Sequence, residues 1–313
     1  VGPDGTWSIG ELAAQAGVTV KTVRFYSDRG LLPETTRSAG GHRRYGPEAL
    51  ERLRLIRSLR TLDLPVPAID PLLDREDALG DALEDAIARQ LRELGTQLAA
   101  LRWREAALRL LHDCPPEERA DRLRLIGAVS VPPDTTVLAR YWRRILPVRL
   151  PACQVARIVD AAVPDLPTDP APAQVLAFAR LHATVTAPCP GGSDGGRPPS
   201  AAEQAPGFRP AVLYDGLAEA YELTAPAVGA GRSPQPGEAL DCFVAAHAGA
   251  HGTTDSPAFR RRLRRQLADS AHPVMDRYWR LAGELVPHPT LGAAHDWLRA
   301  ALDTHLEAPV AGR

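Results

Sequence analysis

Thr19, Lys21, Thr22, Arg24 and Tyr26 fall within eight residues, and Arg43, Arg44 and Tyr45 form a second group shortly after. On a helix, Lys21 and Arg24 stand three residues apart and share a face. From there their N–H donors can reach base edges or phosphate oxygens in a DNA major groove. Thr19 sits at the start of that helix. The hydroxyls of Thr22 and Tyr26 suit phosphate oxygens, contacts that fix register without reading sequence. Arg43 and Arg44 suit the backbone or an adjacent minor groove, with Tyr45 as a brace. Structural roles compete with each of these. Arg24 can pair with Asp28 at i+4, and the two tyrosine rings can simply be packed.

The elements that must hold these groups are legible in the caps. Ser8 followed by Glu11 predicts a capping box for IGELAAQA, and Gly17 ends that helix. Thr19 caps VKTVRFYSDRG, which closes at Gly30, so the order is helix, glycine turn, helix. LLPETTRSAGGHRRYG carries a hinge at Gly40-Gly41 and reads as a two-stranded wing. Pro47 then opens a third helix with Leu50, Leu53, Ile56 and Leu59 on one face. Ten basic against four acidic residues lie between Ala13 and Leu62, a local excess of six that the whole-chain charge of −1 conceals.

Taken together, IGELAAQAGVTVKTVRFYSDRGLLP and AGGHRRYGPEALERLRLIRSLRTLDLPVPAI closely resemble the DNA-binding domain of the MerR family of transcription regulators. The family's turn matches Ala16-Gly17-Val18, and its recognition helix matches Thr22-Val23-Arg24-Phe25-Tyr26. Gly30-Leu31-Leu32, the wing Gly41-His42-Arg43-Arg44-Tyr45 and the pair Leu55-Ile56 match further family positions. Phe25 stands where Tyr is commoner, and Asp63-Leu64-Pro65 replaces a glycine-centred turn. The resemblance implies a dimer on inverted repeats in promoter DNA. Such a dimer bends and untwists an over-long spacer and acts on RNA polymerase indirectly.

A long helix is expected from about Glu76 to His112. Ile87, Leu91, Leu94, Leu98, Leu101 and Leu108 follow alternating three- and four-residue steps on it, a heptad seam interrupted by Glu105. The seam needs a partner, either a second copy of the chain or the chain's own C-terminal part. It corresponds to the family's antiparallel dimerisation helix. The expected organisation is residues 1–75 for DNA, 76–113 for dimerisation and 114–313 as an all-helical effector domain, with a loop near 188–207. The fold class is mainly all-α.

Beyond residue 113 the pattern is helix after helix punctuated by Pro, with eleven of the 16 aromatic residues after position 137. Tyr141, Trp142, Tyr214, Tyr221, Tyr278, Trp279 and Trp297 are candidates to line a small-molecule cavity, against the alternative that they are core. RYWR occurs at Arg140–Arg143 and Arg277–Arg280, which fits either an internal duplication or shared composition. AAHDWLRAALDTHLEA weakly resembles the last helix of TipA-type effector domains. Arg260–Arg265 reads as a solvated helix face with Leu263 and Leu267 turned inward, against the alternative of a surface for DNA flanks or an acidic partner.

Composition narrows the function classes. Of 37 basic residues only Lys21 is lysine, a bias that GC-rich codons would produce. Four separated Cys without a CxxC motif argue against a disulfide framework or a zinc module. Cys114 stands alone, and Cys242, His247 and His251 lack an HExxH pattern, so no metal is expected. Neither a nucleotide-type glycine loop nor a cobalamin-type strand–helix alternation is present, so no cofactor is expected. With no nucleophile–base pair or paired carboxylates, enzymatic activity is not expected. No apolar run approaches the roughly 20 residues of a membrane span, and the expected location is cytoplasmic. The expectation is a ligand-responsive regulator. The alternative is a drug-sequestering protein whose DNA binding serves its own regulation.

Overall fold

The computed structural model describes residues 5–73, 79–187, 207–270 and 272–307, so the loop expected near 188–207 lies, Gly207 apart, outside the described residues. The chain forms two compact units, residues 1–97 and 98–313.

The first unit contains β1 (Trp7–Ser8), α1 (Ile9–Ala16), α2 (Val20–Asp28), β2 (Thr36–Arg37), β3 (Arg43–Tyr45), α3 (Pro47–Arg60) and α4 (Val66–Leu73). Its sheet is antiparallel in the order β1-β3-β2, with Trp7 opposite Tyr45 and Arg37 opposite Arg43. The wing therefore has a third strand that the sequence did not announce. Two residues are too few to display the alternation by which a strand is read. Gly17 takes φ 64°, the left-handed turn between α1 and α2 that glycine adopts at little cost. Leu12, Val23, Leu53, Ile56 and Ile69 are fully buried beneath the helices. Each contributes roughly 1.5–3 kcal/mol relative to exposure. Asp63, in the segment that stands in place of the expected glycine-centred turn, also has positive φ at 58°. An Asp tolerates this conformation better than most residues, so the turn survives the replacement.

A 35-residue helix, α5 (Leu79–Asp113), follows, and the division between the two units falls within it after Gln97. The second unit continues with α6 (Pro116–Gly127), α7 (Thr136–Ile145), α8 (Ala152–Ala162), α9 (Pro172–Thr186) and α10 (Pro210–Gly229). It ends with α11 (Glu238–Ala250), α12 (Pro257–Asp269), α13 (Pro273–Gly283) and α14 (Leu291–Glu307). Proline occupies the first turn of α6, α9, α10, α12 and α13, where a missing N–H costs nothing. The proline-rich composition thus starts helices more than it breaks them. Two cores organise this unit. One joins α5, α7, α8, α9 and α13 around Trp103, Leu138, Phe178 and Tyr278, and the other joins α10, α11, α12 and α14 around Leu240, Phe243 and Leu298. At Gly216 the second core is tight, since a Cβ there would lie 2.6 Å from that of Ala246.

The basic run on α12 needs a correction. Leu263 and Leu267 are buried as expected, but Arg260 is only 9% exposed. Its Nε donates to both oxygens of Asp255 at 2.9 and 3.1 Å, and its terminal nitrogen reaches Asp241 at 2.6 Å. Two acids from outside the arginine run draw this one side chain inward.

Candidate nucleic-acid interface

Ser8 begins the helix-turn-helix. Its backbone N–H donates to Glu11 Oε2 at 2.7 Å, and its hydroxyl accepts from the Glu11 N–H at 3.3 Å. These bonds to Ser8 hold the Glu11 carboxyl below its ordinary pKa. Thr19 Oγ1 accepts from the Thr22 N–H at 3.1 Å and lies 2.8 Å from the Thr22 hydroxyl. Both threonines therefore serve the cap of α2. Val23, Tyr26 and Ser27 turn inward, whereas Lys21, Arg24 and Phe25 are exposed. Asp28 bonds Arg43 rather than Arg24, and the i+4 pair considered from sequence does not form. The Arg29 guanidinium lies 4.3 Å from the centre of the exposed Phe25 ring, a cation–π contact at the end of α2.

Of the wing residues, Tyr45, Arg43 and Arg44 face the unit, while Arg37 is exposed. Tyr45 is fully buried and its hydroxyl is 2.7 Å from Ser27 Oγ, the bracing role expected of it. Tyr26, 7% exposed, is a core residue. Arg43 meets Asp28 at 2.5 Å and Glu34 at 2.6 Å, and Arg44 lies 3.6 Å from Glu11.

On α5 the six seam residues are all exposed: Ile87 39%, Leu91 65%, Leu94 48%, Leu98 48%, Leu101 56% and Leu108 63%. Ala86, Trp103, Ala106 and Leu110 instead enter the cores of their own units. Glu105, which interrupts the seam, pairs with Arg109 one turn on at 2.5 Å.

Residues 7–76 match the family model described as the MerR HTH family regulatory protein. Over 107 residues the chain is 36% identical to the HTH-type transcriptional regulator ZntR homolog of Haemophilus influenzae, covering 32% of this chain and 79% of that relative. The chain belongs to the MerR family. It is 41% identical over 83 residues to the nodulation protein NolA of a Bradyrhizobium species, covering 26% of this chain and 35% of NolA. It is also 45% identical over 69 residues to the HTH-type transcriptional activator TipA of Streptomyces coelicolor, covering 22% and 27% of the two chains. The chain thus spans about a third or less of these two longer relatives. This MerR-family protein is a DNA-binding transcription regulator. No described helix is long and apolar enough to cross a membrane.

The regulator's candidate ligand-binding aromatics divide into groups. Tyr141 stacks on Tyr278 at 6.0 Å with 15° between the rings, and Trp142 lies 5.2 Å from Trp279. Trp142 also meets Tyr278 edge-on at 5.4 Å. These four rings occupy one another's faces, and the two RYWR copies are in contact. Tyr214 packs against this same core. Tyr221 and Trp297 belong to the other core. There the Tyr221 hydroxyl lies 2.9 Å from His295 Nδ1, and Trp297 Nε1 donates to the Arg232 carbonyl at 2.8 Å. Phe243 touches the imidazoles of both His247 and His295. Burial holds His247 well below the ordinary histidine pKa, at about 3, with His295 and His251 adding to the effect. Its Nε2 is buried with no hydrogen-bond partner among the described residues. Cys242, weighed above as a metal ligand with His247 and His251, instead directs its Sγ to the Gly216 carbonyl. No group of three or more His, Cys, Asp or Glu suited to a metal ion occurs among the described residues.

Proposed function

We propose that this regulator binds inverted-repeat promoter DNA as a homodimer and distorts the spacer between half-sites in response to a small molecule. Residues 1–75 engage the duplex, 76–113 pair two copies, and 114–313 hold the effector. The observation that carries the reading is the exposed seam on α5. Its six apolar side chains span 21 steps of helix, about 31 Å, and a stripe of that length is what a two-helix coiled coil buries. Pairing through it joins two recognition helices in one molecule, as an inverted repeat requires.

Lys21 and Arg24 stand on the exposed face of α2 and are assigned to base edges or phosphates, with Thr19 and Thr22 at its N-terminal end. RNA polymerase is affected through the realigned promoter rather than by direct contact. For the effector, Tyr214, Tyr221 and Trp297 remain the aromatic candidates. Tyr141, Trp142, Tyr278 and Trp279 pack on one another, which leaves less open ring face for a ligand. The buried, unpartnered His247 Nε2, with Phe243 and His295 as its neighbours, supports the second core as the place where a polar group of a ligand is received.

Sedimentation and gel retardation of the wild type and Leu94→Arg test the dimer. The wild type is expected to sediment as a dimer and to retard a duplex carrying the inverted repeat of its own promoter. Leu94→Arg is expected to sediment as a monomer and lose tight binding. A variant that stays dimeric with unchanged affinity rules out the seam as the interface.

A further inference from the structure

Strand β3 carries consecutive arginines, and consecutive strand residues point to opposite faces. Arg44 is directed to Glu11 of α1, and Arg43 is directed to the far end of α2. Arg43 Nη1 donates to Asp28 Oδ1 at 2.5 Å and to Ser27 Oγ at 3.0 Å, while its Nε meets Glu34 Oε1 at 2.6 Å. Ser27 Oγ is shared with the buried Tyr45 hydroxyl, so two residues of β3 grip the same turn of the recognition helix. Glu34, just before β2, also bonds Arg37 of the wing at 3.3 Å. The whole assembly ties α2, the approach to the wing and β3 together, with the bonds between α2 and β3 joining side chains 15 to 18 residues apart in sequence.

The charge count separates two roles for Arg43. Arg43 and Arg37 with Asp28 and Glu34 make a cluster of zero net charge, which offers phosphate no net attraction. With Nη1 and Nε committed, little of the planar fork remains for a bidentate phosphate contact. The same bonds are well placed for another task. Wing and recognition helix must meet different grooves at the same time, and holding them at a fixed angle before encounter lowers the ordering cost of binding.

We propose that Arg43 is a positioning residue that locks the wing to the recognition helix through Asp28, Ser27 and Glu34, and not a phosphate contact. This rests on the DNA-binding surface assigned above and changes the role of one residue within it. The Asp28 hydrogen bond, with Glu34 nearby, also raises the affinity of the Arg43 guanidinium for its proton.

Three full-length proteins distinguish the roles: wild type, Arg43→Gln, and the double variant Asp28→Asn with Glu34→Gln. Each is titrated with the duplex carrying the inverted repeat of its own promoter over a salt series, and thermal melts compare their folding. Arg43→Gln is expected to bind roughly tenfold more weakly, the order of one charge-assisted hydrogen bond, with an unchanged slope of log affinity against log salt. Hydroxyl-radical protection beneath the wing is expected to fade while protection beneath α2 persists. The double variant leaves the Arg43 charge free and removes two negative charges from the DNA side, yet it is expected to bind more weakly as well. A slope reduced by about 0.9 in Arg43→Gln marks a lost phosphate contact and overturns the proposal. Unchanged or tighter binding by the double variant overturns it too, and that comparison holds even if Arg43→Gln folds poorly.

Discussion

Replacing Arg260 with Ala removes the one cation that two acids of the second unit share. Asp255 and Asp241 lie within 2.5 and 2.6 Å of the same terminal nitrogen, and the Arg260 side chain is 11% exposed. Deleting one partner of a buried pair costs about 3–5 kcal/mol because the remaining charge is stranded. Here the acids are less deeply placed, at 32% exposure for Asp255 and 65% for Asp241, so water can solvate them once the guanidinium is gone. A loss of about 2–3 kcal/mol follows, at or below the low end of that range. With a urea dependence of about 2–3 kcal/mol per molar, the unfolding midpoint of this unit falls by roughly 1 M. Arg261→Ala, an exposed neighbour on the same helix, is the control and should stay within about 0.5 kcal/mol of wild type. Chemical denaturation followed by tryptophan fluorescence reads both variants. Equal midpoints for Arg260→Ala and Arg261→Ala would refute the argument that Arg260 is a structural cation. DNA affinity of the folded Arg260→Ala protein should match wild type.

Lys21→Ala and Arg24→Ala should each weaken operator binding, and each variant that has lost a phosphate contact should lower the salt slope by about 0.9 in the titration series. A base contact instead relaxes preference at one base pair. His247 loses its proton at about 3 in the fold and near 6.5 when unfolded. Both states are therefore neutral above pH 6.5, and below it the unfolded chain binds the proton first. Unfolding free energy should then drop by about 1.4 kcal/mol per pH unit between roughly pH 6 and 4, and His247→Gln should remove that component in denaturation measured across the range. A Cβ at Gly292 would lie 2.1 Å from Cγ of Trp279, so Gly292→Ala should destabilise the second unit by about 1–3 kcal/mol in the same assay. A neutral outcome would mean that α13 and α14 separate more easily than their close approach implies.

The helix-turn-helix was legible because its signals are local. Ser8 with Glu11, Gly17, and Thr19 with Thr22 are caps and turns that act over three or four residues. The seam was legible because its spacing is its geometry: six apolar residues in heptad register are exposed on one helix. What escaped reading depends on distant partners. Arg24 and Asp28 satisfy the rule for a helical ion pair, but Arg43 reaches Asp28 from a strand 15 residues away, where the wing presents it directly. Arg260 resembles its four arginine neighbours in sequence and differs only because Asp241 and Asp255 converge on it. Helix α6 carries little amphipathic signal, because none of its residues is buried. Pairing of the aromatic candidates was equally invisible, as Tyr141 and Tyr278 are far apart in the chain.

That pairing has a consequence for how the sequence can change over time. Each RYWR tetrapeptide is the other's immediate environment, Tyr against Tyr and Trp near Trp. Loss of ring volume from one copy leaves a hollow that growth in the other can fill, while enlarging both at once overfills the space. The two short stretches, more than a hundred positions apart, are therefore bound to drift as a pair, and lineages descended from this chain should carry matched replacements at 141 with 278 and at 142 with 279.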